Sequence, residues 1–491
     1  MDVTAWTERL LQRSPCLTRE AHGRALARVA AEALAAVDPR ACVLRSTHRL
    51  IKPRGEAAVV GEFVFDLAAD PAAPSEAEYG RVWVFGAGKA SAAMAEALVE
   101  RFGERIAGGV VIVKHRPPGG GWIGPVELLV GDHPVPGPAT AAATAKLRAR
   151  AAEVGPRDLV LCPISGGASA LLSEPTLPAA DWAELTEHLL HRDVSIQAIN
   201  KLRRRFDALK AGGLARLMSP ATVVSLIVSD VVGDELALVG SGPTVYSAGG
   251  DSVEAQARAQ DTTQPQVAGY AELLDELGER LLGLREPLRQ ALLQPPPSPA
   301  GPTTPSGRPQ GVHQVLVARN GDAREAACRG ARAEGLDSIV LLPALGGLAA
   351  DEGRRLAQLL AHTPGDLPIT SPWCLVTGGE TTVELGPGAL AGAGGRNQEL
   401  ALAAIEGLAG IPEVALLTLA TDGEDGPTDA AGALVTGESL ARARAAGLDI
   451  AQALAAHDSH RIFAELDDLV RTGPTGTNVC DLAFLVCAPQ P

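Results

Sequence analysis

Gly394-Gly395-Arg396-Asn397-Gln398-Glu399 sets a guanidinium and a carboxamide directly behind two glycines, where a helical pattern begins. After an apolar strand, Thr421-Asp422-Gly423-Glu424-Asp425-Gly426 crowds carboxylates into a glycine-bearing loop. One run offers groups that bind anions and the other offers groups that bind cations, the combination phosphoryl transfer needs.

Other segments carry related chemistry. Val82-Trp83-Val84-Phe85 runs into Gly86-Ala87-Gly88-Lys89-Ala90-Ser91, a strand, a glycine turn and a helix start. Backbone N–H groups at such a start favour an anion, and Lys89 adds a mobile positive charge. The turn is no Walker loop, because position 83 is Trp where that motif needs Gly. It is also a poor dinucleotide fingerprint, with Ser91 at the third glycine and Lys114 where an acid should end the next strand. A second turn, Ser165-Gly166-Gly167-Ala168-Ser169, offers hydroxyls and close backbone approach to phosphate or carboxylate oxygens. Asp230, at the tip of an apolar strand, is placed to hold Mg²⁺, to orient a hydroxyl or to cap a turn. Asn200, Arg203, Asp207 and Lys210 fall three or four residues apart and share one face of an expected helix. Glu380 closes a third glycine turn, and Thr472-Gly473-Pro474-Thr475-Gly476-Thr477-Asn478 reads as a loop dense in hydroxyls. His457 and His460 are too isolated to suggest a metal site.

The elements that must hold these groups alternate along the chain. Apolar runs at 82–85, 110–114, 126–130, 158–164, 223–229, 314–318, 338–342, 373–377 and 414–420 predict strands. Helical patterns at 91–102, 139–153, 194–217 and 323–334 lie between them, and a first helical stretch at 18–37 serves packing. The pattern predicts an α/β fold of two Rossmann-like lobes, each with a mainly parallel sheet flanked by helices, and an active site in the cleft between them. Residues 294–310 carry seven prolines and no apolar period, so they read as a linker or surface loop. An N-terminal lobe over 1–293 and a C-terminal lobe over 311–491 follow.

The chain has 491 residues, enough for several cores, which Ala, Leu and Val must build because aromatics supply only 3%. With 43 basic and 58 acidic residues the formal charge is −15, which disfavours nucleic acid and anionic membranes as partners. Seven scattered cysteines without metal-ligand spacing point to a reduced, intracellular protein. Neither a secretory leader pattern nor an apolar run of about 18 residues is visible, so a cytoplasmic location is expected.

Taken together, the segments resemble the class II glycerate 2-kinases, whose C-terminal part is called the MOFRL domain. The matching pieces are GAGKAS (86–91), HPVP (133–136), ISGGASALL (164–172), KAGGLA (210–215), SDVVGD (229–234) and GSGPTV (240–245). They continue with GGETTV (378–383), GGRNQELAL (394–402), TDGEDGPTDAAGA (421–433), HDSH (457–460) and TGPTGTNVCDL (472–482). The resemblance implies ATP-dependent phosphorylation of D-glycerate at the 2-hydroxyl, with Mg²⁺, and leaves room for a homo-oligomer. It implies that Lys89 and Arg396 act on the moving phosphoryl group and that Asp230 joins them at the catalytic centre. Gly86, Gly88, Ser165, Gly166, Gly167, Asn200, Lys210 and Asn397 would bind substrate or phosphate. Asp230, Glu380, Asp422 and Asp425 are its acids, any of which could hold Mg²⁺, with the general base unassigned among them. The chain departs from the family pattern at Ala168, at Arg205 and Asp207 in the run before Lys210, at Leu348, and in a longer proline-rich insert. Two other readings compete: a hydroxypyruvate reductase using NAD(P)H, against which the degraded fingerprint counts, and a ligand-binding module without chemistry.

Overall fold

Val82-Trp83-Val84-Phe85-Gly86-Ala87 and Leu159-Val160-Leu161-Cys162-Pro163-Ile164 are buried at every position, as strands covered on both faces must be. The structure, a computed structural model, describes residues 1–52, 55–75, 77–117, 119–192, 194, 196–246, 273–275, 277–293, 311–362, 372–385 and 392–487. The proline-rich segment 294–310 lies outside the described residues.

The chain forms two compact units that are not sequential. One comprises residues 39–229 and 234–317; the other comprises residues 1–38, 230–233 and 318–491. This grouping differs from the expected division at 293/311 in three places, one of them residues 230–233. The first 38 residues belong with the C-terminal part, and the strand after the proline-rich segment joins the N-terminal sheet.

In the larger unit, β1 (Thr47–Lys52), β2 (Gly55–Val60) and β3 (Phe63–Leu67) form an antiparallel meander. A seven-stranded sheet follows from β4 (Val82–Ala87), β5 (Ile106–Val113), β6 (Trp122–Ile123), β7 (Val126–Val130), β8 (Leu159–Ile164), β9 (Thr222–Val228) and β10 (Val312–Ala318). Its order is β10-β9-β8-β4-β5-β7-β6. The pairs β4–β5, β4–β8, β5–β7 and β8–β9 are parallel, and β6 runs against β7. From β4 the chain moves outward to β5 and β7, then returns to β8 and moves the other way to β9. The carboxyl ends of β4 and β8 thus meet at a topological switch point, where ligands of such sheets sit. Helices Ala179–His191, Ile196–Phe206 and Glu286–Leu293 build a separate core around Trp182, Leu202, Phe206 and Leu288.

The smaller unit holds β11 (Asp337–Val340), β12 (Trp373–Gly379), β13 (Val414–Ala420), β14 (Gly432–Thr436), β15 (Leu469–Val470) and β16 (Asp481–Cys487) in the order β11-β12-β16-β13-β14-β15. β11 and β12 are parallel, whereas β16 pairs antiparallel with both β12 and β13. β14 likewise runs against β13 and β15. The sheet is therefore mixed, with β14 and β16 reversed among strands of one direction. Helices Ala349–His362 and Arg396–Leu408 share its core through Leu356, Leu400 and Ile405, which pack with Leu416 and Leu485. The N-terminal helix Gly23–Ala36 crosses helix Asn320–Ala333 closely. A Cβ on Gly330 would lie 2.7 Å from Cγ of Glu32, so glycine permits that approach. Arg19 and Arg442 both bind Asp468, which fastens the N-terminal segment to the strand side of this unit.

No helix among the described residues is long and apolar enough to cross a membrane.

Gly86 faces Pro163 across the β4–β8 pair, and a Cβ there would run into the proline carbonyl oxygen and lie 2.8 Å from its Cγ. Gly86→Ala is expected to cost about 1–3 kcal/mol, since backbone on a central strand cannot yield as a side chain does. The check is the thermal midpoint of the purified variant; an unchanged midpoint would contradict this packing.

Candidate functional site

The switch point brings together the turns that follow β4 and β8. The amide of Gly88 donates to Ile112 O (3.1 Å), that of Lys89 to Gly166 O (2.8 Å) and that of Ala90 to Ser165 Oγ (3.0 Å). Ser165 Oγ also meets Ser91 Oγ at 3.3 Å, and a Cβ on Gly88 would overlap Ser165 Oγ. The two turns are bolted to each other, so the β4 turn has its amides occupied and is not the open anion cradle its glycines suggest. Gly86 lies within the strand and serves packing rather than ligand contact. The amides of Gly166 and Gly167, by contrast, donate to no acceptor among the described residues. Beside them, a Cβ on Gly167 would touch Lys89 Cγ (3.2 Å) and His133 Cδ2 and Nε2 (3.3 Å each). Glycine at 167, with φ of +83°, keeps the backbone open to whatever lies between Lys89 and His133.

The electrostatics of this corner are one-sided. Burial, then the charges of Lys89, Lys114, Arg203 and His115, push the His133 pKa down to about 4. The imidazole is therefore neutral near pH 7, in a field an incoming anion would relieve.

Two residues expected here have other work. The helix expected over 194–217 ends at Phe206, because Asp207 turns back to accept from Ser173 Oγ (2.6 Å), Glu174 N (3.1 Å) and Leu209 N (3.0 Å). Lys210 thus leaves the face shared by Asn200 and Arg203. Its ammonium is buried and donates to Ala168 O (3.1 Å) and Leu172 O, which ties down the short helix Ala168–Leu171 behind the Ser165 turn. Lys210 is a support for the turn rather than a phosphate ligand. Asn200 Oδ1 accepts from Ser241 Oγ (2.9 Å), which meets Ser169 Oγ (2.8 Å), so it orders the same loop at one remove.

The second cluster lies wholly in the smaller unit. Asp425 is buried and caps helix Arg396–Leu408. Oδ1 accepts from the Asn397 amide (3.0 Å) and carboxamide (3.3 Å), and Oδ2 from the Gln398 amide (2.8 Å) and carboxamide (3.0 Å). Burial raises its pKa above the usual carboxylate value while those amides work against the rise. With both oxygens engaged, Asp425 is a cap and not a metal ligand, and Asn397 points inward rather than at phosphate. Arg396, the first residue of that helix, forms a fork with Asp481 (Nε–Oδ2 2.6 Å, Nη2–Oδ1 3.2 Å) and meets Glu380 through Nη1 (2.6 Å). Burial opposes its charge, yet Asp481 and Glu380 hold its pKa above the ordinary value. Three of the five N–H groups of a guanidinium are used, which leaves donors for an anion.

Asp230 and Asp422 belong to this unit. The Asp230 carbonyl accepts from Cys480 Sγ (3.0 Å), and Asp422 Oδ1 accepts from the Glu424 amide (3.1 Å). Among the described residues no three His, Cys, Asp or Glu side chains are arranged to hold a metal ion. Asp425 and Asp481 have their oxygens taken by amides and by the Arg396 fork, so neither is left to hold a metal.

Sequence reasoning overlooked Asp481 and His133, and it placed Arg203 on a polar helix face without giving it a role. Asp481 heads an apolar run directly after the Thr472 loop, an acid at a strand's start, which was the available signal. His133 sat inside a segment already noticed but carried no spacing that marked it.

Comparison with known proteins places the whole chain in a family. Residues 25–268 match a family described as a domain of unknown function, DUF4147, and residues 373–481 match the MOFRL family. A D-glycerate 2-kinase of Thermotoga maritima is 34% identical over 82% of this chain and 89% of its own length. A protein of Agrobacterium vitis that carries the provisional name hydroxypyruvate reductase is 38% identical over 86% of this chain and 93% of its own. A crystal structure of a glycerate kinase from Thermotoga maritima covers 94% of this chain and 98% of its own, with a TM-score of 0.72 and 30% identity.

Burial lowers the Lys210 pKa from 10.5 to about 8 in spite of Asp207. Between those values the unfolded chain holds a proton that the folded chain has released, so stability from this group rises with pH. Lys210→Met also strands the buried Leu172 carbonyl, at about 1–3 kcal/mol, while Ala168 O keeps the Leu172 amide. Denaturant unfolding should show the wild-type advantage over Lys210→Met growing from pH 8 to pH 10.5. A gap that stays flat or shrinks would mean the amine is not held as described.

Proposed function

This chain belongs to the class II glycerate kinases, the family that carries the MOFRL domain, and from that premise we propose that it transfers the γ-phosphoryl group of ATP to the 2-hydroxyl of D-glycerate. The observation that carries the reading is the switch-point corner, where the unoccupied amides of Gly166 and Gly167 stand beside Lys89 in a field of cations. Both substrates are anions, and such a corner binds anions.

In the reaction the acceptor oxygen attacks the γ-phosphorus, the bond to the bridging oxygen breaks, and ADP leaves while the hydroxyl proton is released. Following the family resemblance, Lys89 and Arg396 are assigned to the charge that gathers on the phosphoryl oxygens. Asp481 and Glu380 hold the Arg396 fork in one orientation, so its remaining N–H groups need no reorganisation at the moment of transfer. Magnesium brought in with the nucleotide would offset the charge on its phosphates and would need one or two carboxylates from the protein. Asp422 and Asp230 are the acids we assign to it, and Asp230 is also the candidate to take the hydroxyl proton. The net charge of −15 supports small-molecule partners rather than nucleic acid, and we place the reaction in the cytoplasm.

The reductase reading needs a pyrophosphate on the β4 turn. The amides of Gly88, Lys89 and Ala90 are already spent on Ile112, Gly166 and Ser165, which counts against it.

Phosphorus NMR of the protein with Mg²⁺-ATP and D-glycerate should show 2-phosphoglycerate rising with ADP. Intact ATP, together with oxidation of reduced nicotinamide by hydroxypyruvate, would replace the kinase with the reductase. Lys89→Ala and Arg396→Ala are each expected to lower kcat about a hundredfold or more. Near-normal turnover in both would remove the assigned centre.

A further inference from the structure

Arg203 lies on helix Ile196–Phe206 of the larger unit with only 6% of its surface exposed. Its Nε has no hydrogen-bond partner, and it makes no ion pair among the described residues. The acid that acts on it, Asp207, has its oxygens turned to Ser173, Glu174 and Leu209. A guanidinium taken out of water without a partner is costly, and burial pushes its pKa down to about 10 in spite of Asp207. Its neighbour Arg204 shows the ordinary solution, since Nη1 donates to Ala237 O at 3.1 Å.

Arg203 follows Asn200 by about one turn of the same helix, and Asn200 reaches the loop after the Ser165 turn through Ser241 (2.9 Å) and Ser169 (2.8 Å); the charge of Arg203, with those of Lys89, Lys114 and His115, bears on His133. His133 in turn borders Gly167, whose amide and that of Gly166 are unoccupied. The corner therefore combines a buried planar fork, two backbone donors, a neutral imidazole and the Lys89 ammonium. Any occupant must be anionic, small and able to accept a planar pair of hydrogen bonds.

We propose that Arg203 anchors the carboxylate of the hydroxy-acid acceptor, in a seat bordered by His133, Lys89 and the Gly166–Gly167 amides. The proposal rests on the kinase reading and names the residue that recognises the acceptor. A carboxylate suits the site because its two oxygens match the guanidinium fork. A nucleotide phosphate shares that chemistry, and the test separates the two.

The test is steady-state kinetics of wild type, Arg203→Met and Arg203→Lys, with thermal midpoints as the check on folding. Losing a charged hydrogen-bonding partner should raise KM for D-glycerate about ten- to a hundredfold in Arg203→Met and leave KM for ATP within about twofold. Arg203→Lys should recover part of the loss. A rise in KM for ATP instead would assign Arg203 to phosphate, and a fall in kcat and thermal midpoint with both KM values unchanged would make it structural. Either result overturns the proposal.

A second measurement does not need turnover. The His133 imidazole resonance, assigned by its loss in His133→Gln, is titrated with and without D-glycerate in the absence of ATP. Bound carboxylate should move the midpoint upward from about 4 toward neutral in wild type and not in Arg203→Met. An unmoved wild-type midpoint sinks the seat. Wild type that makes no 2-phosphoglycerate yet shows the glycerate-dependent shift would sink the kinase reading and leave the seat standing.

Discussion

A carboxylate leaves water only where donors meet its oxygens, and Asp425 meets that condition with two backbone amides and two carboxamides. This one group orders the polar end of the smaller unit. A Cβ on Gly395 would collide with Asp425, and one on Gly426 would collide with the Gly394 carbonyl, so the two glycine-rich runs fit only against each other. Once they are locked, the first turn of helix Arg396–Leu408 can point in one direction alone. Arg396 is then carried to Asp481 at the head of β16 and to Glu380 at the end of β12. The glycines that look like flexible hinges in the sequence are close-contact points in the fold. Their role is to let backbone meet carboxylate.

The larger unit solves a similar problem with the opposite sign. Lys210 is the buried charge there, and it satisfies carbonyls at the end of the short helix that follows the Ser165 turn. Asp207 pins Ser173 and Glu174 from the other side. Between them the turn is held without drawing on the Gly166 and Gly167 amides. A binding loop needs that separation, since groups used to hold it in place cannot also hold a ligand.

Much of the fold could be read from local pattern. The runs at 126–130 and 414–420 are strands with those limits, 91–102 is a helix with those limits, and the Ser165 turn falls at the switch point where ligands were expected. Pairing was not legible. Asp481–Cys487 is an apolar run like any other, and nothing in it says that it enters between β12 and β13 in reverse. The small residues Ala27, Ala30 and Ala31 mark a packing helix but not its partner, so the return of residues 1–38 to the C-terminal unit stayed hidden. The site was legible by residue type more than by role. Arg396 and the Ser165 turn carry spare donors, whereas Asn397, Asp425, Asn200 and Lys210 had the right chemistry and are committed to the scaffold. Spacing of three or four placed Lys210 on a helical face, and only the Asp207 turn shows why the helix stops first.

Net charge and local charge point in opposite directions in this molecule, and distance decides which governs. A charge of −15 acts through solvent, where screening limits its reach to about 8–10 Å. At the His133 corner the cations act at short range and partly out of water, where each counts for several times its effect in solution. Acids elsewhere are consumed in pairs such as Arg81 with Asp158 and Arg105 with Glu56, and the largest charges acting on His133 are all cationic. An acidic protein can therefore present a corner that attracts small anions while its surface as a whole turns large polyanions away. The depressed pKa of His133 is the local record of that imbalance, and a bound anion is what would restore it.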